Sequence, residues 1–167
     1  MSLPLSHPLI LRVPLCAVPA ELRDARPDDA VRLAAIDAQV SAHPWTRSQF
    51  VTACSGEESA ANTLVLEDGG RVEGFIISSQ VLDEASILNI AVLLSRHGHG
   101  LGGGILRSAL QHMRESGITR CLLEVRESNT AAQRLYRGHR FQLDGTRKKY
   151  YPTTDGREDA LLMSVEL

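Results

Sequence analysis

The sequence predicts a mixed α/β domain, one sheet with helices packed on its faces, and three observations lead there. Strand and helix patterns follow one another as β-α-α-β-β-β-α-β-α-β-β, with no internal repeat or low-complexity linker. An apolar run, Ile87-Leu88-Asn89-Ile90-Ala91-Val92-Leu93-Leu94, enters a glycine-rich turn from His97 to Gly104, and a helical pattern of Ile105, Leu106, Ala109, Leu110 and Met113 leaves it. Two further strand patterns are joined by Asp68-Gly69-Gly70, a hairpin signal.

Residues 1 to 20 read as an irregular or disordered extension ahead of a single domain over 21 to 167. The stretch is apolar, but Pro4, Pro8, Pro14 and Pro19 break any helix and Arg12 interrupts the run, which argues against a secretory signal. Glu21 to Ala25 alternates as a short strand. Pro27-Asp28-Asp29 then opens a helix with Val31, Ala34, Ala35 and Ala38, and with them Leu33 and Ile36, as its inward face. The pair His43-Pro44 ends that helix, because a residue before proline is pushed out of the α region. Thr46 and Gln49 form a capping box for a second helix to about Ala53.

Thr63 to Glu67 and Arg71 to Ser79 are the hairpin strands, Val81 to Glu84 a turn, and Ser86 to Leu94 the next strand. Beyond the glycine turn the helix runs to about Glu115, where Ser116-Gly117 stops it. Thr119 to Arg126 is a strand, and Ser128 or Asn129 caps a helix whose inner residues are Ala131, Ala132, Leu135 and Tyr136. Phe141 to Tyr151 and Ala160 to Leu167 close the chain as strands around Pro152 to Gly156.

Composition narrows the function. At 167 residues, 43% hydrophobic and 23% charged, this is ordinary for a soluble globular domain. A net charge of −2 lacks the basic footprint of a nucleic-acid binder, and no stretch is apolar and long enough to span a membrane. Cys16, Cys54 and Cys121 are odd in number and far apart, so neither a disulfide framework nor a metal pair follows, and a reducing cytoplasm fits.

Strand, glycine turn and helix together aim unpaired amides and a helix dipole at an anion. Gly98 to Gly103 spells GxGxxG, but Ser95-Arg96-His97 separate it from the strand and no second nucleotide-binding half follows. A Gly-Lys-Ser/Thr sequence is missing, which excludes a P-loop NTPase.

Three blocks carry a resemblance: Asn89-Ile90-Ala91-Val92, His97-x-x-Gly100-x-Gly102, and Leu123-Glu124-Val125-Arg126-x-Ser128-Asn129-x-Ala131-Ala132-x-x-Leu135-Tyr136. Together they resemble the acetyl-CoA core of the GCN5-related N-acetyltransferase (GNAT) superfamily. The tail from Lys149 to Ala160 and the triplet His43-Pro44-Trp45 are similar to members that acetylate the N-terminal alanine of a ribosomal protein. The resemblance spans roughly residues 21 to 167. It implies a mostly antiparallel sheet with acetyl-CoA at splayed middle strands, a ribosomal-protein N-terminal peptide as partner, no metal, and a monomer or weak dimer.

By the same resemblance, the edge Ile90, Ala91 and Val92 pairs with the pantetheine amides, and Gly98, His99, Gly100, Leu101, Gly102 and Gly103 receive the pyrophosphate. Asn129 contacts the cofactor as well as capping its helix. Acetyl transfer to an amine needs one proton removed from the nucleophile and one given to the departing thiolate. Glu124, a carboxylate on an otherwise apolar strand, is expected to be buried and to serve as the base, directly or through water. Tyr136 is the acid, since a phenol is neutral at pH 7. Pro44, Trp45, Tyr150 and Tyr151 frame the acceptor groove. Arg157, Glu158 and Asp159 form salt links or attract a basic peptide. Cys121 falls on the opposite face from Glu124 and is no nucleophile.

The chain departs from the pattern at its turn. His97 stands where glutamine or arginine is usual, Gly98 and Gly103 where arginine is common, and Leu93-Leu94 where an Asp-Pro-like pair is common. Gly138-His139-Arg140-Phe141 lacks the usual glycine before phenylalanine. Fewer basic side chains imply weaker acetyl-CoA binding, partly restored by Arg96, His97 and His99. Two other functions stay open at the level of sequence: a GNAT enzyme for another peptide, a lysine or a small amine, and a non-catalytic acyl-CoA-binding or docking module.

Overall fold

The computed structural model describes residues 9–11, 20–56 and 61–167. In chain order its strands are β1 (Leu9–Leu11), β2 (Ala20–Asp24), β3 (Asn62–Asp68), β4 (Arg71–Val81), β5 (Glu84–Val92), β6 (Arg120–Arg126), β7 (Gln142–Thr153) and β8 (Gly156–Glu166). The helices are α1 (Ala30–Val40), α2 (Arg47–Ala53), α3 (Leu101–Glu115) and α4 (Thr130–Gly138), with short 3-10 turns at Pro27–Asp29 and Leu94–Arg96. The strands form one sheet in the order β1-β2-β3-β4-β5-β6-β8-β7. All neighbours are antiparallel except β5 and β6, which are parallel and joined by the crossover through α3.

Strand alternation supplies a core on each face. Phe75 and Ile77 of β4 and Val65 of β3 pack under α1 and α2, while Ile76, Leu64 and Leu66 pack under α3 and α4. Phe50 meets Phe75 edge to face at 5.5 Å, both fully buried. Each such ring contributes about 1.5–3 kcal/mol through burial.

The two middle strands do not stay together. Their pairing ends at Ile87 opposite Leu123, although β5 continues beside β4 to Val92 and β6 beside β8 to Arg126. One extra residue, Leu88, lies between the β4–β5 pairs Ile77–Asn89 and Ser78–Ile87, so a bulge sits where the strands part. Beyond it, the facing edges of Leu88–Val92 and Glu124–Arg126 have no strand partner among the described residues. No helix among these residues is long and apolar enough to cross a membrane.

Several boundaries differ from expectation. Leu9–Leu11 pairs with β2 and adds a strand that the proline-rich pattern gave no sign of, because edge pairing uses backbone groups alone; residues 1–8 and 12–19, and with them Cys16, lie outside the described residues. On α1, Val31 (56% exposed), Ala35 and Ala38 face solvent, and Ala30, Leu33, Ile36 and Asp37 face inward. Leu33 and Ile36 bury more apolar area than the alanines and set the rotation. On α4, Ala131 is exposed and Gln133 is buried, its amide donating to the carbonyls of Arg126 (3.3 Å) and Glu127 (2.8 Å). β5 stops at Val92: the Leu93 N–H donates to the Glu73 carbonyl at 2.8 Å, and Leu94 begins a 3-10 turn. β8 starts as early as Gly156.

At Gly74 the helix and the neighbouring strand leave no room for a side chain. A Cβ there would stand 2.9 Å from the Ala91 carbonyl oxygen and 3.0 Å from Ile105 Cδ1. Gly74→Ala should therefore lower unfolding stability by about 1–3 kcal/mol in urea titration. An unchanged midpoint would mean that β4 and α3 are less tightly apposed.

Candidate active site

The turn before α3 is built from backbone. Gly98 (φ 78°) and Gly100 (φ 74°) are left-handed, a conformation that suits glycine, and Gly100 is the N-cap of α3. The first intrahelical bond runs from the Gly104 N–H to the Gly100 carbonyl at 3.0 Å, so the preceding amides, Gly100 to Gly103, are the donors a helix start leaves free. The helix begins at Leu101, earlier than expected, because that side chain is buried and anchors the first turn. Gly98, His99 and Gly100 are exposed, and Gly102 and Gly103 half-buried. The side chains expected to supply charge bond instead to groups in and beside the turn. His97 Nε2 lies 2.9 Å from the Val92 carbonyl, His99 Nδ1 lies 2.9 Å from the His97 carbonyl, and Arg96 donates to Asp68 at 2.7 Å.

From this turn, the free edge of β5 leads back to the point where the strands part. Ala91 and Val92 are buried and Ile90 half-buried, their side chains directed into the two cores, so what faces the opening is peptide groups. Glu124 is the first residue of β6 past the last β5–β6 pair. Contrary to expectation it is not buried. β6 alternates, with Cys121, Leu123 and Val125 inward, which leaves Glu124 on the half-exposed face. Its side chain is 31% exposed, and Arg147 Nη1 donates to Oε1 at 2.9 Å. Cys121 is buried on the other face, as its register requires, and burial pushes its thiol up to about 12.

β7 forms the adjoining wall through a bulge. Arg147 faces Ala160 and Tyr151 faces Glu158, so Lys148, Lys149 and Tyr150 oppose Asp159 alone. Lys149 adopts φ 51° there. The Asp159 carboxylate accepts from Lys148 Nζ (2.6 Å) and the Lys149 N–H (2.8 Å), and Arg157 donates to the carbonyls of Lys149 and Tyr150, both at 2.7 Å. Glu158 accepts from Arg126 (2.8 Å) and the Ser128 N–H (3.1 Å). Both carboxylates are therefore held below their ordinary range, Glu158 by Arg126 and Asp159 by Lys148. They act as internal ties, the first of the two roles expected for them.

The bulge carries two adjacent rings. Tyr150 is exposed and Tyr151 half-buried, their rings edge to face at 5.0 Å. Arg126 lies over Tyr151 at 4.3 Å and Arg147 over Tyr150 at 5.3 Å. Burial and then Glu124 raise the Tyr151 phenol. Tyr136, 6% exposed on α4 and 5.7 Å from Phe141, is pushed up to about 12 by burial, with Tyr151 and Cys121 adding to the rise. Tyr151 thus stands in the electrostatic reach of both Glu124 and Tyr136. Asn129 caps α4, Oδ1 accepting from the Ala132 N–H at 3.1 Å.

On the other side of the sheet, Pro44 is exposed and Trp45 half-buried against Phe50 at 5.7 Å. The Trp45 N–H donates to Asp37 Oδ2 at 2.8 Å, and the Asn89 side chain, next to the bulge, donates to the same carboxylate. Asp37, Asn89 and Arg147 were not anticipated. A charge on an inward helix position and an Arg–Glu pair between distant strands leave no local pattern.

Desolvation raises the Asp37 carboxyl above its ordinary value. A folded value above the unfolded one gives stability that is complete below the unfolded pKa and lost as pH rises through the folded value. Asp37→Asn, which keeps an acceptor oxygen without the charge, should equal or exceed wild-type stability at pH 7. Asp37→Ala should cost about 1–3 kcal/mol by leaving the Trp45 N–H unpaired. Equal losses in thermal unfolding of both variants would contradict this.

A family model described as the acetyltransferase (GNAT) family matches residues 28–141. The ribosomal protein bS18-alanine N-acetyltransferase of Escherichia coli (strain K12) is 36% identical over 132 residues, covering 79% of this chain and 87% of the relative. The Haemophilus influenzae protein of the same name is 36% identical over 140 residues, covering 83% and 93%. The crystal structure of the ribosomal-protein-S18-alanine N-acetyltransferase from Escherichia coli matches with a TM-score of 0.82 at 33% identity, covering 88% of this chain and 93% of that one. Ard1 from Thermoplasma volcanium matches at 0.78 and 26%, covering 89% and 97%. With a parted pair of strands leading to a glycine turn, and with these relatives, the chain belongs to the acetyltransferase (GNAT) family, the acetyl-CoA-dependent N-acetyltransferases.

Proposed function

We propose that this chain acetylates the N-terminal α-amine of a ribosomal protein, with alanine as the receiving residue, in the cytoplasm. The observation that carries the reading is the position of Glu124 at the closed end of the opening between β5 and β6, beside Arg147 and Tyr151. The acceptor is inferred from the two relatives named for bS18 alanine.

The residues present fit acetyl-CoA. The free edge from Leu88 to Val92 offers N–H and C=O groups to the pantetheine amides as a partner strand would. The amides from Gly98 to Gly103 suit a pyrophosphate, which needs donors more than cationic side chains. Asn129, at the start of α4, adds a polar contact. Acetyl-CoA supplies the acetyl group as a thioester, whose C–S bond breaks as the new C–N bond forms.

Glu124 takes the proton from the attacking amine, directly or through one water. Arg147 holds that carboxylate in place and yields to the incoming ammonium, which carries the same charge. Tyr136 gives a proton to the departing sulfur; a phenol raised to about 12 is fully protonated at neutral pH. Solvent then restores both groups. Tyr150 and Tyr151 on one side and Pro44 and Trp45 on the other frame the peptide N terminus.

The test follows CoA release with a bS18 N-terminal peptide beginning in alanine, beside lysine peptides and polyamines. The alanine peptide should turn over fastest. Glu124→Gln should lower kcat by about 10²- to 10⁴-fold, with acetyl-CoA affinity unchanged. Turnover equal to wild type would remove Glu124 from the mechanism. Silence with every acceptor would favour a binding module.

A further inference from the structure

Two of the departures seen in the sequence touch one another. His139, at the end of α4, reaches Gly103 in the first turn of α3: Nε2 lies 3.1 Å from the Gly103 carbonyl oxygen, and Nδ1 lies 2.9 Å from the Leu135 carbonyl oxygen. Carbonyl oxygens only accept, so each nitrogen is a donor where it is bonded. The neutral ring serves one of them and the imidazolium both.

The ring packs directly on Gly103, at ordinary contact distance from where a Cβ would stand. A Cβ there would sit 3.4 Å from His139 Cε1 and 3.8 Å from Leu135 Cδ1. Leu135 and His139, four residues apart, form one stripe of α4 against this turn, and Leu135 Cδ2 is 3.9 Å from where a Gly102 Cβ would be. The ring is itself held by a tight helix end. The N–H groups of His139 (2.9 Å) and Phe141 (3.1 Å) both donate to the Tyr136 carbonyl, and Arg140 between them takes φ 68°.

We infer that His139 is a positioning residue for the cofactor turn, clamping the Gly103 carbonyl so that the free amides of α3 converge on the pyrophosphate of acetyl-CoA. Three successive glycines, Gly102 to Gly104, open α3, and glycine loses more conformational freedom on ordering than any other residue. A side chain that fixes one of their carbonyls removes part of that ordering from the cost of binding. The clamp does for this turn what basic side chains do for others: it favours the bound geometry, here without touching the anion. This inference rests on the reading that the start of α3 receives the pyrophosphate.

The test measures dissociation constants calorimetrically for acetyl-CoA, and by competition for S-acetyl-pantetheine, which lacks the pyrophosphate. His139→Leu should weaken acetyl-CoA about tenfold, as expected for loss of one hydrogen bond of the stronger kind, and leave S-acetyl-pantetheine within about twofold. His139→Gln, which keeps an N–H donor, should recover part of the loss and provides the comparison should the leucine variant not fold. Equal weakening of both ligands, or none of either, overturns the clamp. A wild type that binds acetyl-CoA no more tightly than S-acetyl-pantetheine overturns instead the pyrophosphate reading beneath it.

Discussion

β5 and β6 run parallel from Glu84 and Arg120 to Ile87 and Leu123 and then separate, and the site exists because they do. A sheet leaves few backbone groups unpaired in its interior, since each lost hydrogen bond there is costly. Here both strands keep their outer partners, β4 and β8, while their inner edges have no strand partner among the described residues. The bulge at Leu88 bends β5 at the point of parting. An interior opening edged with peptide donors and acceptors suits an extended chain of amides. Glu124 stands at its closed end and the α3 turn at its open end.

The walls are held by ties between charged side chains and backbone. Asp159 and Arg157 fold the β7 bulge that carries Tyr150 and Tyr151; Glu158 fixes Arg126 beneath Tyr151. Across the sheet, Asp37 joins the Trp45 turn to Asn89 next to the bulge of β5. The long Tyr150 to Asp159 block is therefore a single device. Its charged residues shape the backbone, and its aromatic residues stack beside Arg126 and Arg147.

Much of this was legible in the chain. The capping box of Thr46 and Gln49, the Gly69-Gly70 hairpin and the stop at Gly117 are local signals, and each falls where expected. The GNAT blocks pointed to the family, which the relatives show, and named the Ile90–Val92 edge, the turn and the Glu124–Tyr136 pair as candidates. What was not legible depends on pairs distant in sequence or on rotation about an axis. The inward face of an alanine-rich α1 was decided by Leu33 and Ile36, and the half-exposure of Glu124 by the pleat of β6. Bulges at Leu88 and Lys148–Tyr150 have no composition of their own. The glycine turn read as an anion cradle with His97 and His99 adding charge, whereas His97, His99 and His139 all bond to carbonyls in or beside it.

The central claim is that the parted edge of β5 is where acetyl-CoA lies. Amide hydrogen exchange with and without acetyl-CoA tests it directly, since the amides of that edge have no strand partner among the described residues to slow their exchange. Segments covering Leu88–Val92 and Gly98–Gly103 should gain protection on addition of acetyl-CoA, while β2 and β3 at the far side of the sheet stay unchanged. Saturating binding that leaves Leu88–Val92 exchanging as before would contradict the account.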